Sequence, residues 1–314
     1  MNITIVGVGF IGRAFAIAFA RAGHAVTLWA RRPEAEGEAL AYIAEILPAL
    51  AEQDVLNGRS TNEVLALIRF ERDMAKALQN ADYVQENAAE DLQQKRDLFA
   101  RMDALAPAGA ILGSSTSALL PSHFTDHLKG RARCLVAHPI NPPFLVPAME
   151  IVPAPWTAPD VVERTRQLLL GIGQAPIVMK REIDGFVMNR LQGAVLQEAF
   201  RLVAEGYASP EDVDIGIRDG LALRWSFMGP FETIDLNAPG GASDYIARYE
   251  GLYAKLFETQ QHRVLWGGAA LETIEADRRR KLSIDDLDKR RLWRDRRLAL
   301  LVAHKRAALA KTGP

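Results

Sequence analysis

Residues 2–12 of the chain read Asn2-Ile3-Thr4-Ile5-Val6-Gly7-Val8-Gly9-Phe10-Ile11-Gly12. The short uncharged run predicts a buried strand, and the glycine pattern that follows it opens the first helical pattern. Gly7 permits a tight turn, Gly9 lets a pyrophosphate approach the backbone, and Gly12 lets the helix pack on the strand. Because free N–H groups at a helix N-terminus attract phosphate, this unit predicts a dinucleotide-binding loop that includes Phe10 and Ile11.

The rest of the first half repeats this rhythm of strand and helix. Strand-like runs occupy residues 3–6, 26–29, 83–84, 110–112, 134–137 and 151–152, and helical patterns occupy residues 11–22, 33–51, 91–105 and 160–170. The alternation predicts a Rossmann-type α/β domain with a mostly parallel, doubly wound sheet. From residue 185 onward only helical patterns follow. We therefore predict two domains, a Rossmann-type domain at residues 1–184 and an all-α domain at residues 185–314.

Composition limits the class of protein and its partners. The chain has 314 residues, 49% of them hydrophobic and 25% charged, as in ordinary globular proteins. With 38 Lys+Arg and 39 Asp+Glu the net charge is −1, so neither a nucleic-acid nor a membrane partner is expected. No apolar run reaches the roughly 18 residues of a membrane span, and residues 1–6 indicate a strand rather than a leader, so we expect a cytoplasmic location. The single cysteine, Cys134, excludes an internal disulfide and a Cys-cluster metal site, and no metal is predicted.

Positive charge is concentrated only near the C-terminus. Residues 278–311 contain thirteen Lys/Arg and four Asp, a net charge of +9. A site for a polyanion is one interpretation, and a long helix at residues 286–309 with a solvated basic face is the other. Trp293 is the only aromatic residue in this segment, so base stacking has little support and we favour the helix.

The end of the second predicted strand bears on which dinucleotide binds. NAD enzymes normally place an acid there to accept a hydrogen bond from the ribose 2′-hydroxyl. Here the run is Trp29-Ala30-Arg31-Arg32, and no acid appears before Glu34. Two guanidinium groups are suited to a 2′-phosphate, so Arg31 and Arg32 predict a preference for NADP(H). The alternative is that both arginines decorate a surface turn and NAD(H) is used.

A histidine and a glutamate stand near the end of the sheet. His138 follows a predicted strand, at the edge where reactive groups of open α/β sheets gather, and Glu150 comes twelve residues later. A histidine held by a carboxylate is suited to take a proton from an alcohol. A histidine packed in the core is the alternative interpretation of His138 alone.

Several motifs in one order make the chain similar to a known family. It resembles the 3-hydroxyacyl-CoA dehydrogenase superfamily, and most closely the lambda-crystallin (L-gulonate 3-dehydrogenase) branch. The resemblance covers residues 2–240 and returns at residues 290–295. Besides the glycine loop, its motifs are Val84-Gln85-Glu86-Asn87, Ser114-Ser115-Thr116-Ser117, Ala137-His138-Pro139-Ile140-Asn141-Pro142-Pro143, Gly185-Phe186-Val187-Met188-Asn189-Arg190 and Gly229-Pro230-Phe231-Glu232-Thr233.

The resemblance implies a role for each matching residue. His138 corresponds to the catalytic base and Glu150 to its partner. Ser117 and Asn189 correspond to catalytic residues that contact the substrate, although each is also an ordinary residue for a helix cap or turn. The positions implied to contact the cofactor are Glu90, Lys95 and Asn141, of which Glu90 and Lys95 have a surface helix pair as their alternative. The helical domain is implied to bind substrate and to form a homodimer.

Two segments depart from the acyl-CoA enzymes. Ala30 replaces the acid of NAD-using members, and Leu223-Arg224-Trp225-Ser226 resembles the lambda-crystallin branch instead. Arg224 is suited to pair with a free carboxylate, or else is a helix-end charge facing solvent or a dimer partner. We therefore predict an oxidoreductase that transfers hydride between NADP(H) and the C3 hydroxyl or keto group of a small 3-hydroxy acid. Alternatives are a thioester-specific 3-hydroxyacyl-CoA dehydrogenase and a non-catalytic, crystallin-like dinucleotide-binding protein.

Overall fold

The computed structural model describes residues 1–313, which form two compact units. The first unit comprises Met1–Val187 together with the chain from Leu292 onward, and the second comprises Met188–Arg291. This division differs from the predicted one, in which all residues after 184 belong to a single helical domain. The reason is packing, because Ala299 is buried in the core of the first unit with Leu298 against it.

An eight-stranded sheet forms the centre of the first unit. Its strands are β1 (Asn2–Val6), β2 (Ala25–Trp29), β3 (Ile68–Phe70), β4 (Tyr83–Glu86), β5 (Ile111–Ser114), β6 (Cys134–Pro139), β7 (Ala148–Pro153) and β8 (Ala175–Val178). They lie in the order β3-β2-β1-β4-β5-β6-β7-β8. All neighbours pair in parallel except β6 and β7, which are antiparallel. The predicted Rossmann-type class is confirmed.

Two strands of the sheet were not predicted, and both lie at its edges. β3 has only three residues and an arginine at its centre, so its sequence shows no apolar run. β8 contains Pro176 and is partly exposed along its length. Because edge strands bury only part of their surface, they do not need the apolar runs that mark central strands.

Seven helices lie entirely within the first unit and flank the sheet. They are α1 (Phe10–Arg21), α2 (Ala35–Glu52), α3 (Thr61–Ala66), α4 (Met74–Leu78), α5 (Leu92–Leu105), α6 (Pro121–Thr125) and α7 (Pro159–Gly171). Helix α1 is buried from Ala14 through Arg21, which matches its nearly continuous apolar sequence. It thereby fixes the glycine loop against β1 and β2.

The second unit is helical, as predicted for its residues. Its helices are α8 (Met188–Ala204), α9 (Pro210–Ile215), α10 (Ala222–Trp225), α11 (Pro230–Leu236), α12 (Gly241–Gln260) and α13 (Gly268–Lys281), with a π-helical segment, Gly216–Leu221, between α9 and α10. Helix α14 (Leu287–Thr312) begins in this unit and continues into the first. In the described part of the chain no helix is long and apolar enough to cross a membrane.

Candidate active site

The glycine loop has the geometry that its sequence predicts. Gly7 has a φ of +91°, and a Cβ there would lie 2.8 Å from the carbonyl oxygen of Asn87. A Cβ on Gly12 would collide with the carbonyl oxygen of Gly7. By contrast, a Cβ on Gly9 would meet no heavy atom within 4 Å, and Gly9 caps α1 with no side chain bonded to the N-terminal N–H groups. The loop therefore fits a pyrophosphate, which needs close approach to the backbone and unbonded helix N–H groups.

One of the two arginines after β2 is paired with a carboxylate that lies further along the chain. Arg31 is exposed, and no described residue forms a hydrogen bond or ion pair with it. Arg32 instead donates to Glu38 over 2.9 Å and 3.4 Å. The bond from Arg32 holds the pKa of Glu38 below its ordinary value, so that side chain is a carboxylate at neutral pH. Sequence reasoning missed Glu38 because it considered acids only within the turn after β2.

His138 and Glu150 face each other across the antiparallel pair β6 and β7. His138 Nδ1 lies 2.6 Å from Glu150 Oε2, with His138 only 5% exposed and Glu150 fully buried. A carboxylate only accepts hydrogen bonds, so a carboxylate at Glu150 selects Nδ1 as the donor, and in the neutral imidazole Nε2 is then the nitrogen with the lone pair. The arrangement therefore presents a ring nitrogen that can accept a proton.

A turn at the end of the first unit holds both members of this pair. The backbone N–H of Val187 donates to Glu150 Oε1 over 2.6 Å, so each carboxylate oxygen is bonded. Phe186 is fully buried, and its ring centre lies 5.5 Å from that of His138. Phe186 adopts a φ of +50°, which is costly for a residue with a side chain. From the sequence motif at residues 185–190 a role is predicted only for Asn189.

Ser117 lies at the same edge of the sheet as His138. It follows β5 by three residues, and β5 pairs in parallel with β6, with Ser114 opposite Val136. Glu90 holds this loop, because it accepts hydrogen bonds from Thr116 Oγ1 at 2.6 Å and from the Ser117 backbone N–H at 2.5 Å. Glu90 is thus joined to the predicted catalytic loop rather than to Lys95.

Lys95, which the resemblance implies to contact the cofactor, is buried in the first unit. Its side chain is 1% exposed, and Nζ lies 2.8 Å from the buried carboxylate of Glu86. Ser114 Oγ donates to the same carboxylate over 2.5 Å, as does the Ala88 backbone N–H over 2.6 Å. Lys95 is therefore paired with Glu86 in the interior rather than with Glu90 at the surface, and its contact with the cofactor stays a prediction. The lysine neutralises Glu86 in the interior.

The remaining predicted residues are distributed over both units. Asn141 is exposed and follows β6, immediately before Pro142. Asn189 is the second residue of α8, and Arg224 is an exposed residue of α10, both in the second unit. Burial raises the pKa of the Cys134 thiol to about 12, so this side chain is protonated at neutral pH. Among residues 1–313 no three His, Cys, Asp or Glu side chains form a metal site.

Comparison with known families matches both parts of the chain. A family model described as the NAD binding domain of 3-hydroxyacyl-CoA dehydrogenase matches residues 2–183. A second model, the C-terminal domain of the same enzyme, matches residues 185–273. The two matches meet near Val187, where the two compact units divide.

Individual relatives cover most of the chain. It is 39% identical to lambda-crystallin from Oryctolagus cuniculus, over 97% of this chain and 96% of that protein. It is 38% identical to an L-carnitine dehydrogenase from Pseudomonas putida, over 74% of this chain and 70% of that protein. A solved structure of 5-formyl-3-hydroxy-2-methylpyridine 4-carboxylic acid 5-dehydrogenase, an NAD⁺-dependent dismutase, superposes with a TM-score of 0.82 at 27% identity and covers 98% of this chain and 97% of that one.

Proposed function

The chain belongs to the 3-hydroxyacyl-CoA dehydrogenase family and is a nicotinamide-dependent dehydrogenase that acts on CH–OH groups, and from that premise we propose a narrower function. The enzyme interconverts a small, free 3-hydroxy acid and its 3-oxo acid, as L-gulonate 3-dehydrogenases do, and prefers NADP(H). The observation that carries this proposal is the buried contact of 2.6 Å between His138 and Glu150 at the sheet edge.

In the oxidative direction His138 takes the proton of the C3 hydroxyl on Nε2. Glu150 keeps the ring oriented through Nδ1 and stabilises the positive charge that the ring acquires. When bound, the nicotinamide ring supplies the acceptor for the hydride that leaves carbon 3. Ser117 donates a hydrogen bond to the carbonyl oxygen that develops. For the second unit, the roles of Asn189 as a hydrogen-bond donor to substrate and of Arg224 as the partner of a carboxylate stay predictions from the family resemblance.

The residues that hold the dinucleotide follow from the glycine loop and the β2 turn. Gly7, Gly9 and Gly12 shape the backbone around the pyrophosphate, and Arg31 is available for a 2′-phosphate. The exposed guanidinium groups of the turn, and an alanine rather than an acid at position 30, support binding of NADP(H). The Glu38 carboxylate beside Arg32 supports NAD(H) as a second cofactor that the enzyme accepts.

Initial rates of 3-oxo acid reduction test this proposal. We expect acetoacetate or another free 3-oxo acid to be reduced faster with NADPH than with NADH, roughly tenfold in kcat/KM. Acetoacetyl-CoA is the comparison substrate, since it has the 3-oxo group of acetoacetate but carries a thioester in place of the free carboxylate. A large preference for the thioester would support the 3-hydroxyacyl-CoA dehydrogenase alternative. No turnover across a panel of free acids, sugar acids and thioesters would support a crystallin-like protein that only binds the dinucleotide.

We propose in addition that a second copy of the chain covers an apolar region of the helical unit, as the family resemblance implies. Large apolar side chains are unusually exposed between residues 221 and 257, including Phe231 at 82%, Phe227 at 71% and Leu236 at 68%. Exposed apolar surface on this scale is typical of an interface, and a self-complementary interface produces a homodimer.

Replacing Phe231 by Glu is expected to shift the protein from dimer toward monomer, because the substitution places a charge in the proposed interface. Light scattering after size-exclusion chromatography measures the mass directly. Leu170→Glu is the matched control, since Leu170 is an exposed apolar residue of α7 in the first unit. A monomeric unsubstituted protein, or a Phe231→Glu variant that remains fully dimeric, would contradict the assignment of this interface.

A further inference from the structure

Glu38 connects two segments of the cofactor region. From α2 its carboxylate accepts two hydrogen bonds from Arg32, which follows β2, and one from Arg13 of α1 at 3.3 Å. Arg13 also donates from Nε to the carbonyl oxygen of Val8 in the glycine loop over 2.8 Å. The glycine loop and the β2 turn are the segments that approach the pyrophosphate and the adenosine ribose in this fold. Glu38 is therefore positioned to influence both.

The ion pair between Arg32 and Glu38 is of a kind that a ligand can replace. Both side chains are partly exposed, at 59% and 43%, and exposed ion pairs contribute little net stability. A 2′-phosphate carries nearly two negative charges at neutral pH and prefers the same bidentate arrangement with a guanidinium. It would therefore compete with Glu38 for Arg32 and be repelled by the carboxylate that remains beside it. The uncharged 2′-hydroxyl of NAD(H) encounters neither effect.

We propose that Glu38 is a specificity-determining residue, whose carboxylate competes with a 2′-phosphate for Arg32 and so limits the preference for NADP(H). This inference rests on the proposed cofactor site, but it concerns the ratio of the two affinities rather than which cofactor is preferred. Ala30, Arg31 and Arg32 favour the phosphate, and Glu38 opposes them. The enzyme accordingly keeps a usable affinity for both dinucleotides.

Glu38→Gln tests the inference, since it removes the charge and keeps the side-chain length. The Kd values of NADPH and NADH are measured by quenching of tryptophan fluorescence, and those of 2′,5′-ADP and 5′-AMP by calorimetry. We expect the affinity ratio of the ligand with a 2′-phosphate to the ligand without it to rise roughly tenfold. Glu36→Gln is the matched control, because Glu36 lies on the same helix and pairs with Arg72 over 2.9 Å. Its ratio is expected to stay unchanged.

The variant Arg32→Gln, alone and combined with Glu38→Gln, shows whether the effect of Glu38 on the affinity ratio depends on Arg32. The gain from Glu38→Gln should disappear in the double variant, because the guanidinium released by the first change is absent. An unchanged ratio in Glu38→Gln, or a gain that persists without Arg32, overturns the inference, as does a failure of every variant to bind 2′,5′-ADP. If the unsubstituted enzyme binds NADH more tightly but Glu38→Gln still raises the ratio, the proposed NADP(H) preference fails and the role of Glu38 stands.

Discussion

His138→Gln is expected to lower kcat by roughly 10²- to 10⁴-fold, the usual contribution of a general acid or base. Glutamine can still donate a hydrogen bond toward Glu150, but it cannot take up the hydroxyl proton. The glycine loop and the β2 turn do not include His138, so the Kd of NADPH should stay within about twofold of its original value. Steady-state rates with a 3-oxo acid and a fluorescence titration of the dinucleotide measure the two quantities separately.

His127→Gln is the matched control for this prediction. His127 also contacts a carboxylate, that of Asp126 at 3.2 Å, but it is exposed and lies in the turn after α6. Its kcat should be unchanged. A His138→Gln variant that is folded by circular dichroism, binds NADPH and turns over at a near-normal rate would exclude His138 as the base.

The contact between His138 and Glu150 shows which features of the site can be predicted from the sequence and which cannot. Twelve residues separate them, and the intervening chain returns to pair β7 antiparallel to β6, with these two residues directly opposite. The position of His138 at a strand end was predictable from the apolar run before it. The pairing was not, because it depends on the length and path of the connection between two strands. The sequence offers Glu150 as a candidate partner, the resemblance to a family supports that choice, and the structure shows the contact.

Charges near the cofactor region were harder to predict than the backbone. The glycines constrain the loop through local sterics, so their pattern predicts the turn and the helix start without reference to distant residues. Glu38, by contrast, reaches Arg32 across the turn between β2 and α2, and Lys95 reaches Glu86 from α5 to β4. Such partners depend on how elements pack, and neither periodicity nor spacing specifies that.

The same limit applies to the C-terminal helix. Its periodicity predicts a helix near residues 286–309, and the structure has one at Leu287–Thr312. The pattern does not say which unit its apolar side chains meet. Ala299 and Leu298 pack into the core of the first unit, together with residues of α2. The helix therefore belongs largely to the first unit, whose other residues end at Val187, far before the helix along the chain.

Lys95→Met is expected to destabilise the first unit by about 3–5 kcal/mol, the usual cost of breaking a buried ion pair. Methionine has a similar length and suits the surrounding core, so lost volume contributes little. The cost arises because Glu86, which is fully buried, loses its cationic partner. Ser114 and the Ala88 N–H still donate to it, but neither carries a positive charge. Urea unfolding followed by circular dichroism measures the change in the free energy of unfolding.

Two further variants separate this structural role from a cofactor contact. Combining Lys95→Met with Glu86→Gln should recover much of the lost stability, because no unpaired charge then remains in the interior. Lys289→Met should cost less than about 1 kcal/mol, since the Lys289 pair with Asp286 is exposed. If Lys95 instead bound the dinucleotide as the family resemblance implies, Lys95→Met would raise the Kd of NADPH and leave unfolding nearly unchanged. The geometry favours the opposite result, because an ammonium group that is 1% exposed and bonded to Glu86 has no surface to offer a ligand.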